Sequence, residues 1–409
     1  MTRLSVDLTS PDTFARAVPH ASFAMLRRED PLSWQESGDP RLPGHWAVTK
    51  YDDAKFVSRN PELFSSARQG VNLFAPDEQM LAQLRRIMLY MDPPEHRRFR
   101  NLVNQFFTPR AVAGLVPRVE KLAREIVDGV ASRGECEFVN EVAALMPMAV
   151  ICELMGVPES DRQHIFELTN RMIGVDDPDF GNSEEDAMRA NVEMFLYAQQ
   201  LAERVRKEPG DNLATLLLEA EVDGHKLSPL DFNSFFLLLA VAGNETTRTV
   251  TTHGMRHLIE HPDQMRALQQ DPSLLGPAIE EMLRFEPPVL HFRRTATRDL
   301  ELRGKQLREG DAVVMWYPAL NRDEDVFANP DRFDIRRHPN HHLSFGIGEH
   351  FCLGAHLARM ELRIIFREIL ARLDDMELAG PVRRLRSNFI NGVKEMRVRF
   401  TPQAGRAAA

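Results

Sequence analysis

The sequence predicts a mainly α-helical fold with a minor β region. Most segments that carry apolar residues at helical spacing are bounded by Pro, Gly or Asp, which mark helix ends. Only three short stretches combine strand-forming residues with flanking turns. The predicted helices cover residues 21–29, 52–60, 97–107, 117–132, 140–155, 159–172, 184–207, 229–260, 263–270, 274–284 and 354–373. The predicted strands cover residues 46–49, 312–316 and 395–400, with turns at Gly44, Glu309-Gly310 and Asn391-Gly392.

The longest predicted helix begins after Ser228, a good N-cap, with Pro229 at its first position and Asp231 in its first turn. Running to residue 260, it would be about 48 Å long, enough to cross a whole domain. Its middle places Gly243, Glu245 and Thr246 after an apolar run. A helical Gly costs about 1 kcal/mol relative to Ala, and a Thr hydroxyl can bond back to a helix carbonyl. We therefore expect a notch with a functional use here.

The loop before the last predicted helix contains a lone cysteine between glycines, in the stretch Phe345-Gly346-Ile347-Gly348-Glu349-His350-Phe351-Cys352-Leu353-Gly354. Glycines permit positive φ and the close approach of a flat cofactor. Amide N–H groups at the start of the following helix favour a thiolate. The pattern indicates that Cys352 is a metal ligand.

Two other interpretations of this loop fit less well. Most lone intracellular cysteines are inert core residues, but the glycines and His350 argue against that here. A dinucleotide-binding loop would need a third glycine at position 351, which is Phe, and a surrounding βαβ unit, which is not predicted.

Composition narrows the class of protein. The 409 residues carry 51 basic and 60 acidic side chains and a formal net charge of -9, with no dense basic stretch, so nucleic acid is not expected as a partner. The widely spaced Cys136, Cys152 and Cys352 indicate neither a disulfide framework nor a zinc site, which favours a reducing cytoplasm. The longest apolar run, residues 235–243, reaches about half of a bilayer span, so no membrane anchor is expected. The Ala-rich tail after Pro402 is expected to be disordered.

The Cys loop, followed by Ala355-x-Leu357-Ala358-Arg359, resembles the haem-binding signature of the cytochrome P450 family. The resemblance implies a single domain over residues 1–409, in which the long central helix lies over a haem buried against the Cys loop. It also implies haem b as cofactor, with Cys352 as its iron ligand, and dioxygen as co-substrate.

The resemblance assigns roles to further residues. Glu245 and Thr246 match the acid–alcohol pair that handles protons, and His96, Arg100, Arg294 and His350 match residues that bind haem propionates. The implied cofactor-binding set is His96, Arg100, Ala242, Gly243, Arg294, Phe345, Gly346, His350, Cys352 and Gly354. Glu281 and Arg284 match a structural Glu-x-x-Arg motif, whose side chains would be buried against residues 321–336.

Other charged residues are expected to lie on the surface. Arg97, Arg98 and Arg293 are interpreted as solvated basic faces, and His341-His342 as an exposed turn rather than a metal site. The acidic residues of segment 174–190 are expected to form a mobile, solvated loop.

Positions that face the substrate in the family are mostly apolar in this sequence, which favours a hydrophobic substrate held by shape. They are Val71, Asn72, Leu73, Phe74, Leu238, Val241, Ala242, Val289, Leu290, Phe292, Phe389, Ile390 and Asn391. Residues 242–248, 344–346 and 385–394 are similar to bacterial members that hydroxylate terminal methyl groups of sterols, methyl-branched lipids and terpenoids. Apolar side chains of this kind also occur in cores, and periodicity does not separate the two uses.

The resemblance thus implies a monomeric haem-thiolate monooxygenase that receives electrons from a ferredoxin and its NAD(P)H-dependent ferredoxin reductase. Arg97, Arg98, Arg359 and Arg363 would either receive the ferredoxin or form a solvated basic face. A peroxide-driven peroxygenase is an alternative, although it usually lacks the acid–alcohol pair. A non-catalytic haem sensor is another, although the sequence shows no output domain.

Overall fold

The computed structural model describes residues 6–39, 41–180, 183–222 and 225–403, and most of them lie in helices, as predicted. The α-helices are α1 (Pro11–Arg16), α2 (His20–Glu29), α3 (Tyr51–Arg59), α4 (Glu78–Leu84), α5 (Glu95–Asn104), α6 (Pro109–Ala113), α7 (Val116–Ala131), α8 (Leu145–Leu154), α9 (Arg162–Ile173), α10 (Glu184–Lys207), α11 (Leu213–Glu219), α12 (Pro229–Glu260), α13 (Pro262–Gln270), α14 (Leu275–Phe285), α15 (Tyr317–Leu320) and α16 (Ala355–Arg372). Short 3-10 helices occupy Met88–Tyr90, Gln105–Phe107, Glu159–Asp161, Pro178–Phe180, Pro272–Leu274 and Gly348–His350, and a π-helix occupies Val139–Ala143. The predicted disordered tail lies, beyond Gln403, outside the described residues.

The strands form small sheets. They are β1 (Leu32–Glu36), β2 (Gly44–Val48), β3 (Phe64–Ser65), β4 (Glu135–Glu137), β5 (Glu221–Val222), β6 (His225–Lys226), β7 (His291–Ala296), β8 (Leu300–Leu302), β9 (Lys305–Leu307), β10 (Ala312–Trp316), β11 (Asp374–Leu378), β12 (Arg383–Arg384), β13 (Val393–Glu395) and β14 (Arg397–Thr401). The largest has the order β1-β2-β10-β7-β3, in which only the β2–β10 pair is parallel. A second sheet joins β11, β14 and β4.

Helix α12 forms the centre of the helical part, with the bounds that the sequence predicts. The Ser228 hydroxyl accepts a hydrogen bond from the Asp231 amide, and the Asp231 carboxylate accepts one from the Ser228 amide, each at 3.2 Å. These bonds satisfy amides that have no partner within the helix. Helices α8, α10, α14 and α16 pack around α12 and bury Phe232, Phe235 and Phe236 in the main core. Such burial contributes about 2 kcal/mol per side chain.

The predicted helices are confirmed, but three of them are not continuous α-helices. A π-helix and then α8 replace the helix predicted over residues 140–155, and 3-10 helices form the end of the one predicted over 97–107 and the start of the one predicted over 159–172. The sequence analysis missed the short helices α1, α4, α6, α11 and α15, which span too few turns to show a period. It also missed β7, because this strand carries Arg293 and Arg294 yet is buried along most of its length.

The acidic segment 174–190 is only partly solvated: Asp176, Asp179 and Glu185 are exposed as predicted, but Asp177 is not, and Glu185 and Asp186 belong to α10 rather than to a loop. Asp177 is fully buried, and its carboxylate accepts hydrogen bonds from Lys394 Nζ at 2.8 and 2.9 Å and from the Arg386 amide at 2.8 Å. Asp186 pairs with Arg171 at 2.7 Å. The segment is therefore attached to the C-terminal strands; Gly181 and Asn182 lie outside the described residues.

The structural role predicted for Glu281 and Arg284 is confirmed. Both side chains are fully buried and joined by two hydrogen bonds of 2.7 and 2.8 Å. Arg284 also donates to the carbonyl oxygens of Asn321, Pro330 and Arg332. Arg337 adds a second guanidinium to Glu281 at 3.0 Å. This network fastens α14 to the segment that leads into the Cys loop.

Across the described ranges, no helix is both long enough and apolar enough to cross a membrane.

Candidate active site

A cavity of about 1160 Å³ lies between the middle of α12 and the Cys loop. Helix α12 contributes Glu245 and Thr246 to its wall, and the loop contributes Cys352. Residues that are distant in sequence thus share one enclosed space of a size suited to a large organic molecule.

Backbone geometry fixes the Cys loop against α3. Gly346 and Gly348 have φ values of 67° and 76°, as the sequence predicts, whereas Gly354 has an ordinary φ of -84°. A Cβ on Gly348 would lie 2.5 Å from the carbonyl oxygen of Ser58, so only glycine fits there. The Cys352 amide donates a hydrogen bond to the Phe345 carbonyl at 2.8 Å, which joins the two ends of the loop.

The thiol of Cys352 is influenced by opposing effects. Burial raises its pKa, whereas a hydrogen bond from the Gly354 amide and the charges of Arg100 and Arg359 lower it. The amide at the start of α16 thus acts in the predicted direction, but burial has the larger effect.

The four side chains predicted to bind propionates all line the same cavity: His96, Arg100, Arg294 and His350. His96 is buried, its ring centroid lies 4.2 Å from that of His350, and neither of its nitrogens has a hydrogen-bond partner among the described residues. Burial lowers the pKa of His96 to about 4 and also lowers that of Arg294. Arg294 donates to the carbonyl of Arg293 at 2.8 Å, and in the described ranges no carboxylate lies within salt-bridge distance of it.

This set of donors fits a haem. Buried cations and unpaired donors are unfavourable unless an anionic group joins them. The two propionates of haem would supply such groups beside Arg100, Arg294 and His96, while Cys352 would supply a thiolate ligand for the iron.

On α12, the predicted acid and alcohol both contact the cavity but have partners within their own helix. Glu245 is buried and forms an ion pair with Arg248. The Thr246 hydroxyl donates to the Ala242 carbonyl at 2.8 Å, the back-bond that the sequence predicts. The helix nevertheless stays regular from residue 229 to residue 260.

Comparison with known proteins agrees with this geometry: residues 45–377 match the family model of cytochrome P450. The chain belongs to the cytochrome P450 family. It is 42% identical over 408 residues to a steroid C26-monooxygenase of Rhodococcus jostii, covering 98% of this chain and 85% of that protein. It is 41% identical to a methyl-branched lipid omega-hydroxylase of Mycobacterium tuberculosis, covering 94% of this chain and 91% of that protein. It is 38% identical to a linalool 8-monooxygenase of Pseudomonas putida, covering 97% of this chain and 99% of that protein.

Solved cytochrome P450 structures have the same fold. A Mycobacterium marinum cytochrome P450 in complex with pseudoionone superimposes with a TM-score of 0.91 at 38% identity, covering 98% of this chain and 99% of that one.

Gly243 has a packing role in this cytochrome P450 that differs from the predicted notch. A Cβ at this position would lie 2.6 Å from Cδ1 of Ile151 on α8. The missing side chain thus allows α8 to approach α12 closely, although Gly243 and Ala242 also line the cavity.

Most predicted substrate-facing residues line the cavity. They are Asn72, Leu73, Phe74, Leu238, Val241, Ala242, Val289, Phe292, Phe389 and Ile390. Val71 and Leu290 do not: both are fully buried in core clusters. Asn391 is buried behind the cavity, where its amide bonds Glu286 at 2.9 Å.

Several cavity residues were missed by the sequence analysis. Tyr317 and Tyr90 are buried and face the cavity, and burial raises the pKa of each phenol to about 12. Glu361 of α16 is also buried at the cavity wall, and burial raises its pKa to about 8. Helical spacing on α16 places Glu361 two turns after Gly354, a signal that could have indicated a buried acid.

Two surface predictions were wrong. Arg293 is buried and donates to the Leu73 carbonyl at 3.0 Å. His341 is exposed as predicted, but the His342 side chain is buried and lies 3.1 Å from Glu280. Arg359, for which two roles were left open, pairs with Glu280 and lies over Phe345 while staying partly exposed. Arg97, in contrast, is exposed and pairs with Glu349.

Proposed function

We propose that this cytochrome P450 is a haem-thiolate monooxygenase that inserts one oxygen atom of dioxygen into a C–H bond of a sterol, terpenoid or branched or fatty lipid. The observation that carries the proposal is one cavity that contains a thiol, an acid–alcohol pair and a mainly apolar wall. The relatives named for steroid, methyl-branched lipid and linalool oxidation support the substrate classes.

In this proposal, bound haem would supply the oxygen-activating chemistry, and the Cys352 thiolate would donate electron density to it. The chain's residues do the rest. Cys352 would hold the iron, and His96, Arg100, Arg294 and His350 would hold the propionates. Ala242, Gly243, Phe345, Gly346 and Gly354, which line the same cavity, would contact the rest of the cofactor.

Glu245 and Thr246 would move protons from within α12. The Thr246 hydroxyl lies in the cavity wall and donates its own hydrogen bond to the Ala242 carbonyl. Its oxygen is therefore free to accept a hydrogen bond from a donor in the cavity. Glu245 can pass a proton toward it when its contact with Arg248 loosens. Val289, Leu238, Phe292 and neighbouring apolar residues would exclude water and hold the substrate.

The electron supply and the setting are part of the same proposal. A ferredoxin and its NAD(P)H-dependent reductase would donate the electrons. The protein would be a cytoplasmic monomer, with a single domain that spans the chain. The exposed Arg97, Arg98 and Arg363 are candidates for contact with an acidic ferredoxin.

The carbon monoxide difference spectrum of the dithionite-reduced protein tests the proposal. Wild type should show the red-shifted Soret band of a thiolate-ligated haem, and Cys352→Ala should lose it. A Cys136→Ala variant, which removes a buried thiol elsewhere, is the control and should keep the band. A haem-free wild type, or a band that survives Cys352→Ala, would contradict the assignment. Turnover with peroxide alone but not with the ferredoxin pair would instead indicate a peroxygenase.

A further inference from the structure

Tyr90 carries a buried hydroxyl that faces an otherwise apolar part of the cavity. It ends the 3-10 helix Met88–Tyr90 and is 7% exposed. Its ring packs in a small cluster with Val71, Ile87, Leu237 and Phe292. A hydroxyl in such a place is unfavourable unless it finds hydrogen-bond partners.

Within the described residues, this hydroxyl has one hydrogen bond, in which it is the acceptor. The Asn72 side-chain amide donates to the Tyr90 oxygen at 3.2 Å. A phenol has one proton to donate as well, and that proton has no acceptor among the described residues. Because burial raises the pKa of Tyr90 to about 12, the group keeps its proton at any pH at which the enzyme would work.

Both partners are held in place by the backbone around them. The Arg293 amide donates to the Val71 carbonyl at 2.8 Å, and the Arg293 guanidinium donates to the Leu73 carbonyl at 3.0 Å, so the backbone is held on both sides of Asn72, which is itself exposed. Gly70 has a φ of 81°, and a Cβ there would lie 3.2 Å from the Tyr90 ring. The hydroxyl is therefore positioned before any ligand arrives, which lowers the entropic cost of binding.

Two other polar side chains at this wall, Ser387 and Asn388, form hydrogen bonds with their own chain. Ser387 Oγ accepts from the amides of Phe389 and Ile390, both at 3.1 Å, and the Asn388 amide donates to the Thr9 carbonyl at 2.6 Å. Tyr90 thus offers a donor that the protein does not use.

We propose that Tyr90, oriented by Asn72, donates a hydrogen bond to a carbonyl or hydroxyl oxygen of the substrate. The enzyme then selects hydrophobic molecules that carry one such oxygen over hydrocarbons of the same shape. This inference rests on the proposed monooxygenase function and names the substrate class of that same cavity.

The test compares ligand affinities of the haem-containing enzyme, measured by the haem absorbance shift. Three probes, pseudoionone, linalool and cholestan-3-one, are each paired with the hydrocarbon that lacks the oxygen. In wild type, at least one oxygenated probe should bind more tightly than its hydrocarbon. In Tyr90→Phe, its affinity should fall roughly five- to tenfold, the range of one hydrogen bond, while the hydrocarbon's affinity stays unchanged.

Tyr197→Phe is the matched control, because its hydroxyl bonds Asp161 at 2.8 Å outside the cavity wall. It should change neither affinity. A wild type that shows no preference for any oxygenated probe overturns the inference, as does a Tyr90→Phe variant that weakens both members of a pair equally or neither.

The Soret band of the reduced carbon monoxide complex distinguishes failure of the Tyr90 inference from failure of the proposed function. A normal band without oxygen preference overturns only the role of Tyr90. A wild type without the band overturns the monooxygenase assignment and, with it, the role of Tyr90.

Discussion

Arg359 and Glu280 form a two-pronged pair that ties α16 to α14 directly behind the Cys loop. Two guanidinium nitrogens of Arg359 each lie 2.7 Å from a carboxylate oxygen of Glu280. The guanidinium carbon also lies 4.4 Å from the ring centroid of Phe345. The pair therefore supports Phe345, the first residue of the Cys loop. The strength of the ion pair depends on the negative charge of Glu280.

Glu280 should make stability fall in acid. Burial alone would raise its pKa, but hydrogen bonds from Arg359 and His342 lower it to about 2. Because the folded-state pKa lies below the ordinary value of 4.5, the stabilisation is present above pH 4.5 and is lost as the pH falls toward 2. The amount is on the order of 3 kcal/mol. Acid unfolding followed by fluorescence should be shallower in Glu280→Gln; equal slopes in both proteins would contradict this.

Glu361 should have the opposite pH dependence. It is buried, one carboxylate oxygen has no hydrogen-bond partner among the described residues, and burial raises its pKa to about 8. A raised pKa means that stability is greatest below pH 4.5 and declines as the pH rises toward 8. Glu361→Gln should therefore have a higher melting temperature than wild type at pH 8 and a similar one at pH 5. A lower melting temperature at pH 8 would show that the charged form is stabilised in the fold.

Gly243→Ala should destabilise the protein by about 1–3 kcal/mol, because the new methyl group overlaps Ile151. Ile151→Ala in the same chain should recover part of the loss, which a double-mutant cycle measures by denaturant unfolding. Gly129→Ala in α7 is the control. It meets no atom within 4 Å and should be neutral or stabilising by about 0.5–1 kcal/mol. Equal effects at both glycines would argue against close packing of α8 on α12.

Glu281→Gln should cost about 3 kcal/mol or more, because it leaves Arg284 and Arg337 without their buried counter-charge. Thermal unfolding of the haem-containing enzyme is the measurement. The comparison is Glu125→Gln, which breaks the exposed pair with Lys121 and should change stability by less than about 0.5 kcal/mol. A loss of similar size in the two variants would mean that the buried network adds little.

Thr246→Ala should slow substrate oxidation roughly 10- to 100-fold while leaving substrate affinity nearly unchanged, because the hydroxyl acts in proton transfer rather than binding. Thr252→Ala is a close match. Its hydroxyl makes the same type of bond, to the Arg248 carbonyl at 2.9 Å, but it lies away from the cavity. The ratio of oxidised product to NAD(P)H consumed should fall only in Thr246→Ala. Normal turnover in that variant would remove Thr246 from the proton pathway.

Local sequence signals were sufficient for the long helices and for the Cys loop. Ser228, Pro229 and Asp231 fix the start of α12 through contacts within four residues. The positive φ of Gly346 and Gly348 likewise follows from residue type. These features depend on neighbours in the chain, which the sequence displays directly.

Features that depend on distant contacts could not be predicted in the same way. Arg293 looks like a surface residue until its guanidinium meets the Leu73 carbonyl, 220 positions away. The fit of Gly243 against Ile151 depends on the approach of two helices. Asp177 is buried and pairs with Lys394, which is more distant in the sequence than any local pattern can show.

The segment that includes Asp177 has a practical meaning for redesign. Val175 and Asp176 face the cavity, while Asp177, the next residue, is fixed to the C-terminal strands. Residues 175 and 176 thus shape the cavity, while the next residue anchors the segment that carries them. Libraries that vary residue 175 can explore new substrates without loosening the scaffold, whereas libraries that include residue 177 would lose folded members.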